Sequence, residues 1–293
     1  MDHAITHLTD TLWVLPSRDM AYNAGLIASG TRCLLIDPGP HPDETDRAVA
    51  LAAELGAAIA HVLLTHSHWD HILGPERIPS APVAAHADFS ATLARSGRTI
   101  AQIARWEARF GYARSGAFPL PQVALPLADD AMLPLGELVL QALHIPGHAA
   151  DQLALFEPTS GALWAADTLS DLEIPFISHS LAAYERTLER LATLPIRVIV
   201  PGHGAPTSDA TAIRARLDAD RAYLSELRRN VAMVVRAGGS VEQAVAVCAT
   251  MRFREPQENA RPHRLNVESC YIELGGAANP AMVGWAKQDL IDE

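Results

Sequence analysis

Thr65-His66-Ser67-His68-Trp69-Asp70-His71 follows directly on the apolar run Ile59–Leu64. Four metal-capable side chains, His66, His68, Asp70 and His71, fall within this one short stretch. Neutral imidazole and carboxylate are the ligands that zinc and its neighbours prefer. A strand ending in a tight loop can aim several of them at one point.

Working outward, three later residues repeat the same situation. His148 follows the run Leu138–Ile145 through a Pro146-Gly147 turn, Asp167 follows Ala162–Ala166, and His203 follows Arg197–Val200 through Pro201-Gly202. Each run reads as a short strand. The C-terminal ends of strands are where α/β sheets place their sites. Any one of these histidines alone reads as an ordinary surface or core residue; four strands each ending in a metal-capable loop residue do not.

The rest of the chain supplies the setting. Thr11–Leu15, Gly25–Ala28 and Cys33–Ile36 read as strands, with a hairpin turn at Ser29-Gly30-Thr31 and a break at Asp37-Pro38-Gly39. Asp43 to Leu55 has helical apolar spacing, with Asp43 placed to cap it and Gly56 to end it. Val83–Ala85 is a further short strand. Residues 88–122 read as an insertion with a helix near Thr99–Phe110 and a Gly/Pro-rich tail, and Leu181–Leu194 as a helix. Beyond residue 208 the pattern becomes helical, over Asp209–Ala237, Val241–Met251 and Asn259–Leu274.

Bulk properties exclude several classes. A chain of 293 residues with 49% hydrophobic and 19% charged residues reads as a soluble globular protein. The formal charge of −11 disfavours nucleic acid, whose phosphates need a basic partner surface. Cys33, Cys248 and Cys270 are too few and too widely spaced for a disulfide framework. Met1–Arg18 lacks the pattern of a signal peptide, and no apolar run approaches a membrane span, so a cytoplasmic protein without membrane contact is expected.

The ordered set His-x-His-x-Asp-His, Pro-Gly-His, Asp, Pro-Gly-His-Gly resembles the metallo-β-lactamase-fold hydrolases of the glyoxalase II and lactonase kind. It does so over about residues 10–207, including the Asp37-Pro38-Gly39 turn. The resemblance implies an α/β fold, a four-layer αββα sandwich of two mixed β-sheets flanked by helices. Residues 1–207 would form the catalytic domain, 88–122 a lid insertion, and 208–293 a helical C-terminal subdomain. It further implies that His66, His68 and His148 bind one metal, that Asp70, His71 and His203 bind a second, and that Asp167 bridges them. Two zinc ions per chain are expected, with iron or manganese as substitutes. A water shared by two such cations loses its proton near neutral pH and attacks a carbonyl carbon. Asp70 would orient it and take up a proton, as the catalytic residue. Asp37 and Thr65 are candidates to accept the second ring N–H of the ligating imidazoles, with a plain turn residue as the other reading of Asp37. His179, in the loop after Asp167, is a candidate to face the substrate.

Within that family His68 favours zinc, because relatives with a di-iron centre carry Glu at this place. Asp167 and the missing signal peptide count against β-lactam hydrolysis. Asp167-Thr168-Leu169 matches glyoxalase II-type thioesterases, but Ser170-Asp171-Leu172-Glu173-Ile174-Pro175 departs from their continuation, and no Tyr lies between Asp167 and Tyr184, whereas acyl-homoserine lactonases usually place one shortly after the bridging Asp. Arg261–Val267 loosely resembles the helical tail of relatives that include a nuclease-like branch. The expectation is therefore a binuclear zinc hydrolase acting on the ester, thioester or lactone bond of a small molecule, with a homodimer as one arrangement. A mononuclear iron persulfide dioxygenase is the alternative. A phosphodiesterase or nuclease, or a non-catalytic binding protein, ranks lower.

Overall fold

The computed structural model describes residues 4–114 and 116–277. The part of the C-terminal region beyond residue 277 lies outside the described residues. The first half of the chain runs β1 (Thr6–Thr9), β2 (Leu12–Pro16), β3 (Asn23–Ser29), β4 (Arg32–Ile36), α1 (Pro42–Glu54), β5 (Ala58–Leu63), β6 (Val83–His86), α2 (Phe89–Ser96), α3 (Thr99–Arg109) and β7 (Val123–Leu127). The second half runs β8 (Ala131–Leu135), β9 (Leu138–His144), β10 (Leu153–Glu157), β11 (Ala162–Trp164), α4 (Leu181–Leu191), β12 (Val198–Val200), α5 (Ala210–Arg236), α6 (Val241–Cys248) and α7 (Ala260–Glu273).

β1 to β7 form one sheet in sequence order, and β12-β11-β10-β9-β8 form a second. Both are mixed: β4 to β7 pair in parallel after an antiparallel start, and β11 pairs in parallel with β12. Period-2 alternation decides which face each side chain joins. Along β4, Leu34 and Ile36 point between the sheets, where they meet Leu140, Leu155 and Trp164 of the second sheet. Cys33 and Leu35 point outward and pack with Leu51 of α1 and Ile103 and Trp106 of α3. Along β10, Leu153 and Leu155 face inward, while Ala154 and Phe156 face Leu188, Leu224 and Val231 of the later helices. The result is helix, sheet, sheet, helix, the expected αββα sandwich.

Several local expectations need correction. Asp43 does not cap α1. The capping position is His41, which makes no side-chain cap, and Asp43 instead binds the Arg18 guanidinium at 2.7 Å. A second helix, α2, occupies the start of the insertion, and α4 stops at Leu191 rather than Leu194. β1, β7, β8 and β10 add strands that apolar patterning passes over. Cys33, Cys248 and Cys270 are buried and unbridged. Among the described residues no helix is long and apolar enough to cross a membrane.

Candidate metal centre

Loops at the C-terminal ends of β5, β9, β11 and β12 converge at one edge of the sandwich. The chain leaves β5 through Thr65, and a single 3-10 turn over Trp69–His71 turns Asp70 and His71 back toward His66. Trp69 is buried under this loop and packs on Trp106 of α3, with ring centroids 5.2 Å apart. Gly202 lets the last loop close: a Cβ there would collide with Asp167 Oδ1, and its N–H donates to Ala166 O at 2.7 Å.

Two groups of donors result. His66, His68, His148 and Asp167 form one, and Asp70, His71 and His203 the other, with the donor atoms of each within 4.8 Å of one another. Asp167 lies between them. Its Oδ2 is 3.2 Å from His148 Nε2 and 3.6 Å from His66 Nε2, and its Oδ1 is 3.2 Å from His71 Nε2. Asp70 Oδ2 lies 3.2 Å from His203 Nε2 and 3.5 Å from His71 Nε2.

The far side of most rings is fixed by a hydrogen bond. Asp37 accepts from the Thr65 N–H at 2.8 Å, the Thr65 hydroxyl at 2.6 Å and His71 Nδ1 at 3.0 Å. With its proton given to Asp37, the Thr65 oxygen accepts from His66 Nδ1 at 3.1 Å. His148 Nδ1 donates to Phe176 O at 3.1 Å and His203 Nδ1 to Met20 O at 2.9 Å. In all four rings the Nδ1 proton is engaged, which leaves Nε2 as the lone-pair atom facing the cluster. His68 is turned the other way and presents Nδ1, 2.9 Å from His148 Nε2.

Protonation follows from burial and from neighbouring charge. Burial holds the His66 ring well below its usual value and His68 down to about 3, with adjacent imidazoles adding to the effect. Burial opposes ionisation of Asp167, yet the rings of His71, His66, His203 and His148 hold its carboxyl well below the usual range. Burial also opposes the charged forms of His71 and His203. Asp167, Asp70 and Asp37 nonetheless raise His71 well above its ordinary value, and Glu173, Asp167 and Asp70 lift His203 to about 10. Positive charge belongs at this place, and a cation would replace those protons. His66 Nε2, His71 Nε2 and Asp167 Oδ1 are buried with no hydrogen-bond partner. Buried polar atoms left orphaned in this way are costly, and cations bound at the two donor groups would satisfy them. The donor set, imidazole with carboxylate, suits zinc.

Asp37 and Thr65 lie behind the His66 and His71 rings, joined to them by the hydrogen bonds above. His179 is exposed and outside both donor groups; its N–H donates to Gly147 O at 3.1 Å. His86 and His144 stack on each other at 4.0 Å and belong to neither group. Sequence reasoning missed Tyr22, whose hydroxyl donates to Asp37 O at 2.8 Å, and Asn23, whose amide holds Pro201 O and Gly204 O. It also missed the carbonyls of Met20 and Phe176, because a backbone acceptor carries no residue signature.

The sequence profile of the metallo-beta-lactamase superfamily matches residues 18–203. A hydroxyacylglutathione hydrolase of Thermosynechococcus vestitus is 29% identical over 156 residues, 51% of this chain and 53% of that one. The chain thus spans about half the length of that relative. A probable metallo-hydrolase of Bacillus subtilis is 27% identical over 246 residues, 69% of this chain and 74% of its own. In structure, a metallo-beta-lactamase family protein of Thermus thermophilus superimposes with a TM-score of 0.68, covering 94% of this chain and 98% of its own at 24% identity, a likeness of fold. The profile takes in every donor from His66 to His203, and this chain belongs to the metallo-beta-lactamase superfamily.

Proposed function

We propose that this chain is a metal-dependent hydrolase with two zinc ions, acting on the ester, thioester or lactone bond of a small molecule. One observation carries the reading. Seven buried or nearly buried donors form two groups with a shared carboxylate, and orphaned nitrogens face inward. His66, His68 and His148 would hold one ion, Asp70, His71 and His203 the other, with Asp167 shared. Bound there, the ions would supply Lewis acidity and a water acidic enough to react near neutral pH.

The chain's own residues do the rest. Asp37 and Thr65 keep His66 and His71 in the tautomer that leaves Nε2 free. Asp70, at the edge of the second group, would orient the attacking water, take a proton as the tetrahedral intermediate collapses and its C–O or C–S bond breaks, and pass it to the departing oxygen or sulfur. No Ser or Cys nucleophile is needed. The names of the relatives above support a hydrolase, and hydroxyacylglutathione is a thioester, which places thioesters among the first substrates to try.

The test combines metal quantification with a screen of esters, thioesters, lactones and phosphodiesters. About two zinc per chain with turnover of a carbonyl substrate is the expected result. One iron per chain with oxygen consumption on a persulfide would overturn it. Asp70→Ala in a metal-verified sample should lose at least about 100-fold in kcat, the low end of what a positioned acid or base contributes. Full activity in that variant would remove Asp70 from the mechanism.

A further inference from the structure

The loop after Asp167 returns past the metal centre, and its Phe176 carbonyl accepts the His148 Nδ1 proton at 3.1 Å. The two peptides flanking Phe176 are held by one side chain from α7. Asn266, fully buried, donates from Nδ2 to Pro175 O at 2.7 Å and accepts at Oδ1 from the Ile177 N–H at 2.7 Å. Its second amide proton goes to the Tyr223 hydroxyl at 2.9 Å. Pro175 offers only an acceptor and the Ile177 N–H only a donor, so a single orientation of the amide fits.

The network continues away from the site with a fixed direction. Tyr223, accepting from Asn266, donates to His263 Nδ1 at 2.9 Å, and His263 Nε2 donates to Cys248 O at 3.1 Å. Every member is satisfied, and such a buried network locks its geometry. Asn259 and Arg254 also bond the loop, at Leu172 O and Ile174 N and at Glu173 O. Of these three side chains, Asn266 brackets the residue whose carbonyl meets His148.

We infer that Asn266 is a positioning residue for His148: through the clamped Phe176 carbonyl it fixes the ring whose Nε2 faces the first donor group. This rests on the reading of His148 as a metal ligand. An outer hydrogen bond of this kind orients the ring, fixes its tautomer and raises its basicity, and its loss costs about 10–100-fold in metal affinity. Asn266→Ala frees Pro175 O and Ile177 N from their partner, and the Phe176 carbonyl is no longer aimed.

The experiment measures zinc affinity of the full-length chain by chelator competition, beside the thermal stability of the metal-free form. The wild type should bind in two steps, one of which His148→Ala removes. Asn266→Ala should weaken that same step about 10–100-fold and leave the other within about threefold. Val231→Ala, in the same apolar cluster but outside the hydrogen bonds that Asn266 makes to the loop, serves as the destabilised control and should keep both steps. Wild-type affinity in Asn266→Ala, or an equal loss in Val231→Ala, would overturn the inference while leaving the metal centre standing. A wild type that binds no metal would instead remove the centre itself, and this inference with it. Should Asn266→Ala fail to fold, Tyr223→Phe removes only the hydroxyl that steadies the amide. It should weaken the same step by a smaller factor, and unchanged affinity there would equally refute the role.

Discussion

Asp37 accepts three hydrogen bonds beside the donor cluster, and its buried carboxylate sets the tautomers of His71 directly and of His66 through Thr65. An amide in its place presents an N–H₂ group where an acceptor is needed. Asp37→Asn is therefore expected to lose about 10–100-fold in zinc affinity with an unchanged far-UV spectrum. Chelator competition checks this, and affinity within about twofold of wild type would refute it. Asp151 shows the opposite case, a buried carboxylate whose desolvation its neighbours Ser67 and His148 only partly offset. It is fully buried, and neither oxygen meets a hydrogen-bond partner of good geometry. Burial pushes its carboxyl up from 3.8 to about 6, with Ser67 only partly offsetting this. A folded-state value above the unfolded one means that the neutral form is favoured. The stability it contributes is present below about pH 3.8 and is lost as pH rises through about 6. At about 1.4 kcal/mol for each tenfold in proton affinity, the loss at pH 8 is about 3 kcal/mol. Asp151→Asn should raise Tm at pH 8, with the gain shrinking toward pH 4. A variant less stable than wild type at pH 8 would show that the carboxylate is needed there.

Strands and loops decide whether these residues meet. Gly202 illustrates the tolerance: any side chain at this position runs into Asp167 Oδ1. Gly202→Ala should displace the shared carboxylate and cut metal content to one ion per chain or fewer, while the protein stays folded. Metal counting with circular dichroism checks this, and two ions per chain in the variant would sink the argument. The four strands that end in donors are legible because an apolar run followed by a turn and a His or Asp is a local signal. β7 and β8 are not, because Pro126 and Pro134 interrupt them. Both strands lie at sheet edges, where a missing N–H leaves no partner unpaired. β10 is buried on both faces and has no alternation to detect. Asp43 reads as a cap from its place before an apolar-periodic run, but Arg18, distant in sequence, holds it. A long-range ion pair of this kind cannot be read from local pattern. The same limit hides Tyr22 and Asn23, which reach the site only because β2 and β3 bring the Ser17–Tyr22 turn against the loop after β12.

At the scale of the molecule, the two sheets share one apolar layer and each has a helical cover. Gly25 and Trp164 show how tightly the sheets approach, since a Cβ on Gly25 would lie 2.5 Å from the indole. The outer cover of the second sheet draws on residues from both sides of position 208. Leu143, Phe156, Leu163 and Ile199 of the sheet and Leu188 of α4 pack in one cluster with Leu217, Leu224, Leu227, Val231 and Val267 of α5 and α7. Removing those helices would expose an apolar sheet face to water at roughly 25 cal/mol per Å², and would take away the Asn259 and Asn266 bonds to the loop beside His148. The fragment 1–207 contains both donor groups found among the described residues, and its sequence alone reads as a catalytic domain. On this packing we nonetheless expect it not to fold on its own: it should be insoluble or lack a cooperative thermal transition, and bind less than one zinc per chain. A monomeric 1–207 fragment that melts cooperatively and holds two zinc ions would show the opposite, that the helices are an accessory cover and the sandwich is complete without them.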